Sequence, residues 1–94
     1  MRITEPEINN IKQSVLYFDK NAKLYLFGSR TDDSKKGGDI DIAIISDAIG
    51  LKEKVKIKLN FFNQFEEQKI DILTVTSKSD NLFWDVVKQN AIQL

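Results

Sequence analysis

Ninety-four residues leave room for one hydrophobic core and not two, so the chain, 1–94, reads as a single domain. With 14 basic against 14 acidic side chains, no net field draws the whole molecule to nucleic acid or an anionic membrane; direct nucleic-acid binding is not expected, and any anion must be held locally. The absence of cysteine and histidine removes disulfides, thiol nucleophiles, imidazole bases and ordinary zinc sites, leaving carboxylates, lysines, arginines, hydroxyls and a carboxylate-bound hard cation.

The chain opens on MRITEPEINN, which lacks the apolar core of a signal peptide, and no apolar run approaches the roughly 18 residues of a membrane span; a cytoplasmic protein is expected. Thr4-Glu5-Pro6-Glu7 reads as a helix start. Thr4 can cap, proline is tolerated in the first turn, and Glu7 stands where a capping box needs it. Ile8, Ile11, Val15 and Phe18 then recur at helical spacing, which carries the helix to about Phe18. Asn21-Ala22 separates it from KLYLF, Lys23 to Phe27, a short β-rich run. Gly28-Ser29 ends that strand, and RTDDSKKGG follows as a loop or as a short helical turn and a loop; Lys35 and Lys36 read as solvated.

DIDIAII is a second strand, closed by a turn near Ser46 to Gly50. From Leu51 to about Phe65, apolar Leu51, Val55, Leu59 and Phe62 repeat at four, four and three. This is one face of a helix, expected to pack inward, with lysines over the other. KIDILTV, Lys69 to Val75, is a third strand. Ser77 to Asp80 offers caps for a last helix carrying Leu82, Phe83, Val86 and Val87, and the tail AIQL suits a helix end or a short edge strand. Phe61, Phe62, Phe65 and Trp84 are expected core aromatics, any surplus marking a protein-binding patch. Strands alternating with helices in so short a chain suggest one small sheet with helices packed on it.

Chemistry concentrates in the strand starts. On a strand, residues i and i+2 share a face, so Asp39 and Asp41 project together while Ile40, Ile42 and Ile44 project away. At a separation of ~4 Å and an effective dielectric near 20, two such charges repel by about 4 kcal/mol, which a fold has little reason to accept without a bound cation, a proton or solvent. Asp71 repeats the pattern between Ile70 and Ile72, and joins the pair if the two strands are neighbours. Three converging carboxylates make an all-oxygen site suited to Mg2+ or Mn2+. A lone D-x-D is often only a solvated strand edge; the second in-strand aspartate is what lifts this one. A calcium loop fits poorly, because Ile40 and Ile42 stand where it is polar. Upstream, Gly28 lets backbone approach a ligand, Ser29 adds a hydroxyl and Arg30 a guanidinium suited to phosphate.

Taken together, LFGSR, DIDIAI and KIDILTV resemble the minimal nucleotidyltransferases of the DNA polymerase beta superfamily: a glycine-serine after a strand, Asp-x-Asp at the next strand, and a third aspartate on a later one. The resemblance covers nearly the whole chain. It implies an α+β fold, a polymerase-beta-like palm of small mixed sheet and helices, that moves a nucleoside monophosphate from a triphosphate and releases pyrophosphate. Asp39 and Asp41 would hold two Mg2+ ions, and Asp71 would join the ion beside the acceptor hydroxyl and help remove its proton. Gly28 and Ser29 would hold the triphosphate of ATP with Arg30 assisting. The same resemblance implies an antitoxin that attaches AMP to a tyrosine of a helical HEPN-domain toxin. Two stretches depart from the family pattern: Gly38 stands where relatives carry serine, and Thr31-Asp32-Asp33 where they carry a small residue and a glycine. They motivate an alternative, a catalytically weak antitoxin of the same fold that neutralises its toxin by binding alone. Transfer to a small molecule is a third class, disfavoured because no acceptor-binding domain is evident.

Overall fold

The computed structural model describes residues 1–78 and 80–94. Helix α1, Glu5–Phe18, starts at the capping box: the Glu7 N–H donates to Thr4 Oγ1 at 3.3 Å, and the Thr4 N–H donates to Glu7 Oε1 at 2.8 Å. Strand β1, Lys23–Phe27, leads into a 3-10 turn, Gly28–Thr31; strand β2, Ile40–Ile45, follows the polar loop. Helix α2, Leu51–Gln64, begins where the Gly50 N–H donates to Glu53 Oε1 at 2.9 Å. Strand β3, Ile70–Val75, comes next, then α3, Leu82–Val87, a second 3-10 turn at Lys88–Asn90, and β4, Ile92–Gln93. The cap of α3 is Asn81, whose Oδ1 accepts the Trp84 N–H at 2.9 Å, rather than a residue of the Ser77–Asp80 span; of that span, Ser79 lies outside the described residues. No helix among the described residues is long and apolar enough to cross a membrane.

One mixed sheet in the order β3-β2-β1-β4 carries the fold. β1 runs antiparallel to β2 and β4, while β2 and β3 are parallel and α2 supplies the crossover that parallel pairing demands. Strand alternation sorts the side chains into two layers. Leu24, Leu26, Ile40, Ile42, Ile44, Ile70 and Ile72 face α1 and α2 and close a core with Ile11, Val15, Ile57 and Phe61. On the opposite face, Phe27, Ala43 and Val75 pack under Trp84 of α3, with Tyr25 5.3 Å from the indole between ring centroids. The small α+β sandwich expected from the sequence is thus the fold observed, with the tail supplying an edge strand.

The face that α2 buries is not the expected one. Ile57 and Phe61 are buried, whereas Leu51, Val55, Leu59 and Phe62 stand exposed. Polar side chains settle the rotation. Asn60 Nδ2 donates to Ser14 Oγ at 2.7 Å, and Asn10 Nδ2 donates to Gln64 Oε1 at 2.8 Å. Those bonds to α1 form only if the Ile57–Phe61 side turns inward, and the 57/61/65 spacing is itself an apolar stripe. Of the four aromatics expected inside, Phe61 and Trp84 are buried, Phe65 is half-buried and Phe62 is exposed.

Candidate active site

At one end of the sheet the acids and the glycine-serine turn meet. β1 and β2 pair so that Phe27 lies opposite Asp41, and β2 and β3 pair so that Asp41 lies opposite Asp71. Asp41 and Asp71 therefore emerge side by side on the face that the six-residue α3 covers only in part. Asp39 immediately precedes β2, which begins at Ile40; the strand does not fix its direction as the i, i+2 argument assumed. It borders, with Asp71, a hollow of about 520 Å3 beside α2.

Gly28 is held at φ +76°, a left-handed conformation that side chains disfavour, and a β-carbon placed there would collide with the Asp41 carboxylate. The turn thus brings bare backbone directly onto an acid. Across the loop, Gly38 sits at φ +85°, and a β-carbon there would strike Ser29 Oγ. A serine at 38 would therefore have to take a left-handed backbone and turn the Ser29 hydroxyl aside. Ser29 and Gly38 are immediate neighbours, although eight residues, the last six of them exposed loop, divide them in sequence.

Two arginines lace this loop together. Arg30 donates through Nε and Nη2 to the Gly38 carbonyl at 3.1 and 3.0 Å, and through Nη1 to the Arg2 carbonyl at 2.9 Å. Arg2 donates to the carbonyls of Asp32, Gly37 and Ser29 at 3.0, 2.8 and 3.0 Å. Its own N–H reaches the Arg30 carbonyl at 2.7 Å, so the N-terminal segment runs alongside the turn. Arg30, expected beside a phosphate, spends three donors on backbone carbonyls, two on that of Gly38 and one on that of Arg2. Arg2 was not foreseen: its partners are backbone carbonyls some thirty positions away, and nothing in the side-chain pattern signals them.

Electrostatics mark Asp41. Burial lifts its carboxyl above the ordinary carboxylate range, and the neighbouring charges of Asp71 and Asp39 push it further the same way. Among the described residues the ion pairs are the Met1 amine with Asp33 and Lys88 with Asp85, neither of which touches these acids. The set is a hard, all-oxygen donor group whose members repel one another, which suits a divalent cation in kind. In position it is less complete: among the described residues no group of three His, Cys, Asp or Glu side chains is placed to hold a metal ion. Asp39 and Asp71 are exposed and free to re-aim, whereas Asp41 is fixed against Gly28. Thr31, Asp32 and Asp33 line a second hollow with Gly28, and hydrogen bonds from the Ser34 hydroxyl and N–H hold the Asp32 carboxyl below the usual range.

Comparison with known proteins bears on the family. Residues 9–93 match the family described as polymerase beta, nucleotidyltransferase. A solved crystal structure described as a "putative nucleotidyltransferase" is similar over 93% of this chain and 96% of its own, with 27% sequence identity and a TM-score of 0.52. No curated protein matches the chain.

Proposed function

The chain belongs to the polymerase beta nucleotidyltransferase family, and from that membership we propose that it transfers AMP from ATP to a hydroxyl, a tyrosine, of a HEPN-domain toxin, and so acts as an antitoxin. One observation carries the chemistry: Gly28 is pressed against Asp41, with Asp71 in register beside it and Ser29 next in the turn. A phosphate-binding turn and a carboxylate pair at a single sheet end are what nucleotidyl transfer requires.

In this reading the N–H groups of the Gly28–Thr31 turn and the Ser29 hydroxyl cradle the triphosphate, close backbone approach being possible because residue 28 has no side chain. Asp39, Asp41 and Asp71 would hold two Mg2+ ions, whose charge would offset that of the phosphates and of the attacking and leaving oxygens. Asp71 orients the acceptor hydroxyl and takes its proton. The acceptor oxygen forms a bond to the α-phosphorus, the bond from that phosphorus to the bridging oxygen breaks, and pyrophosphate departs with the electron pair. Arg2 and Arg30 keep the turn and the Gly37-Gly38 segment at fixed separation. The toxin as partner comes from the family resemblance.

Incubation with labelled ATP, Mg2+ and the product of the neighbouring gene tests the reading. Label should pass to the partner, and Asp39→Asn or Asp41→Asn should lower transfer by at least about 100-fold. Unlabelled partner, or variants as active as the parent, would refute it. Neutralisation by binding alone is the second reading, favoured by the charged Asp32 beside Gly28 and by carboxylates not drawn together as a triad. Protection of cells by the Asp39→Asn/Asp41→Asn double variant would select it.

A further inference from the structure

The apolar stripe on α2 that finds no place in the core has a direction and a destination. Leu51, Val55, Leu59 and Phe62 are 76%, 47%, 57% and 52% exposed. At ~100° per residue they centre about 135° round the helix from Ile57 and Phe61, so α2 is apolar on two nearly opposite sides and covered on one. The stripe is not isolated. Val55, Leu59 and Phe62 line the hollow of about 520 Å3 that Asp39 and Asp71 also line. β3, the strand beneath, is a sheet edge. A body lying along α2 would therefore reach the acids without crossing any other element.

We infer that this outer face of α2 is the docking surface for the protein acceptor, engaged through an apolar helix rimmed by acidic side chains. Charge decides the occupant. α2 carries Lys52, Lys54, Lys56 and Lys58 against one acid, Glu53, and the Glu53 carboxylate accepts from the Gly50 N–H at the helix start. Lys58 flanks the stripe on the side of the hollow, and Lys52 and Lys56 flank it on the other. Farther along the hollow stand one more acid and one more base, Glu66 and Lys69, and the candidate acids Asp39 and Asp71 lie at its end, so the basic rim is that of α2 itself. A second copy of this chain would set lysines against lysines. Nucleic acid would answer the lysines but would bury phosphate against leucine and phenylalanine. An acidic-edged apolar helix answers both, in the helix-in-groove manner. From Leu51 to Phe62 the stripe is roughly 16 Å long, three turns of such a partner. Docking stands on the surface itself; that the docked protein is also the acceptor rests on the nucleotidyl-transfer reading.

The test uses the full chain and two labelled amphipathic peptides with the same leucine stripe, one rimmed by glutamate and one by lysine. In fluorescence anisotropy the glutamate peptide should bind, more weakly as salt rises, with its lysine twin at least ~10-fold weaker. Leu59→Glu should weaken binding by about tenfold or more, since it places a charge in the middle of the stripe, while Leu82→Glu on α3, which is still more exposed, should leave it unchanged. Equal binding of both peptides, or indifference to Leu59→Glu, would overturn the proposal. So would a wild-type dimer in sedimentation that Leu59→Glu dissolves, which would make a second copy the occupant. Docking that survives while label transfer fails would sustain the surface and remove only the chemistry; label transfer to the HEPN partner undiminished by Leu59→Glu would do the reverse.

Discussion

Gly28 is the residue on which the site turns, because two separate constraints meet there. Its left-handed backbone alone favours glycine, and its missing side chain is the space into which the Asp41 carboxylate fits. Gly28→Ala should therefore lower stability by about 1–3 kcal/mol, from backbone strain and displacement of Asp41 together. Transfer should fall much further than stability does, and thermal unfolding beside a label-transfer assay separates the two. Asp41 makes a prediction of opposite sign. Its carboxyl is lifted mainly by burial, so the folded protein holds that proton more tightly than the unfolded chain does. The contribution to stability is full below the ordinary carboxylate range. It declines as pH rises through the lifted value, and above that value the buried charge is a standing cost. Asp41→Asn should consequently melt higher than the parent at neutral pH without divalent cations. Mg2+ or Mn2+ should raise the parent's melting temperature and leave the variant's unchanged, by linkage to the folded state. A parent indifferent to both ions in calorimetry would argue against these acids as cation ligands.

At the scale of elements, much was legible and one orientation was not. Thr4 and Glu7 announced α1 because a capping box is a local device, complete within four residues. β1 was legible as a short β-rich run, and β2 and β3 because isoleucine alternating with aspartate can satisfy only one side of a sheet; the parallel pairing of β2 with β3 duly brought Asp71 beside Asp41. The inward face of α2 was hidden. Two apolar stripes share that helix, and the choice between them rests on bonds from Asn60 and Gln64 to a helix some fifty residues earlier. The arginine latch was hidden for the same reason, its acceptors being carbonyls with no side-chain signature. The observed rotation is directly testable. Ile57→Ala, in the core, should destabilise by about 2–4 kcal/mol, whereas Leu59→Ala, two positions on, should stay within about 0.5 kcal/mol. Urea unfolding of both variants checks this, and a reversal of the order would mean that α2 is turned the other way.

For the whole molecule, the question is whether the two layers behave as one body. The core layer is thick, two fourteen-residue helices over four strands, and the site layer is thin, closed by a six-residue helix that buries Trp84. Yet β2 belongs to both: Ile40, Ile42 and Ile44 serve the core, and Ala43 serves the site layer along with Asp41. A strand cannot release alternate side chains independently, so the layers should unfold together. The chain holds a single tryptophan, and it lies in the thin layer, so its fluorescence reports that layer alone while far-UV circular dichroism reports mainly the helices of the thick one. Denaturant midpoints from the two probes should coincide. Trp84→Ala should lower stability by roughly 3 kcal/mol or more, because the buried indole is the largest side chain of the cluster that it forms with Phe27, Ala43 and Val75. It should also loosen the turn at Gly28, which directly follows Phe27, so that nucleotide affinity falls even where the variant remains folded. Separate midpoints would instead show the site layer opening by itself over an intact core, and the acids would then owe their placement to the bound nucleotide rather than to the sheet.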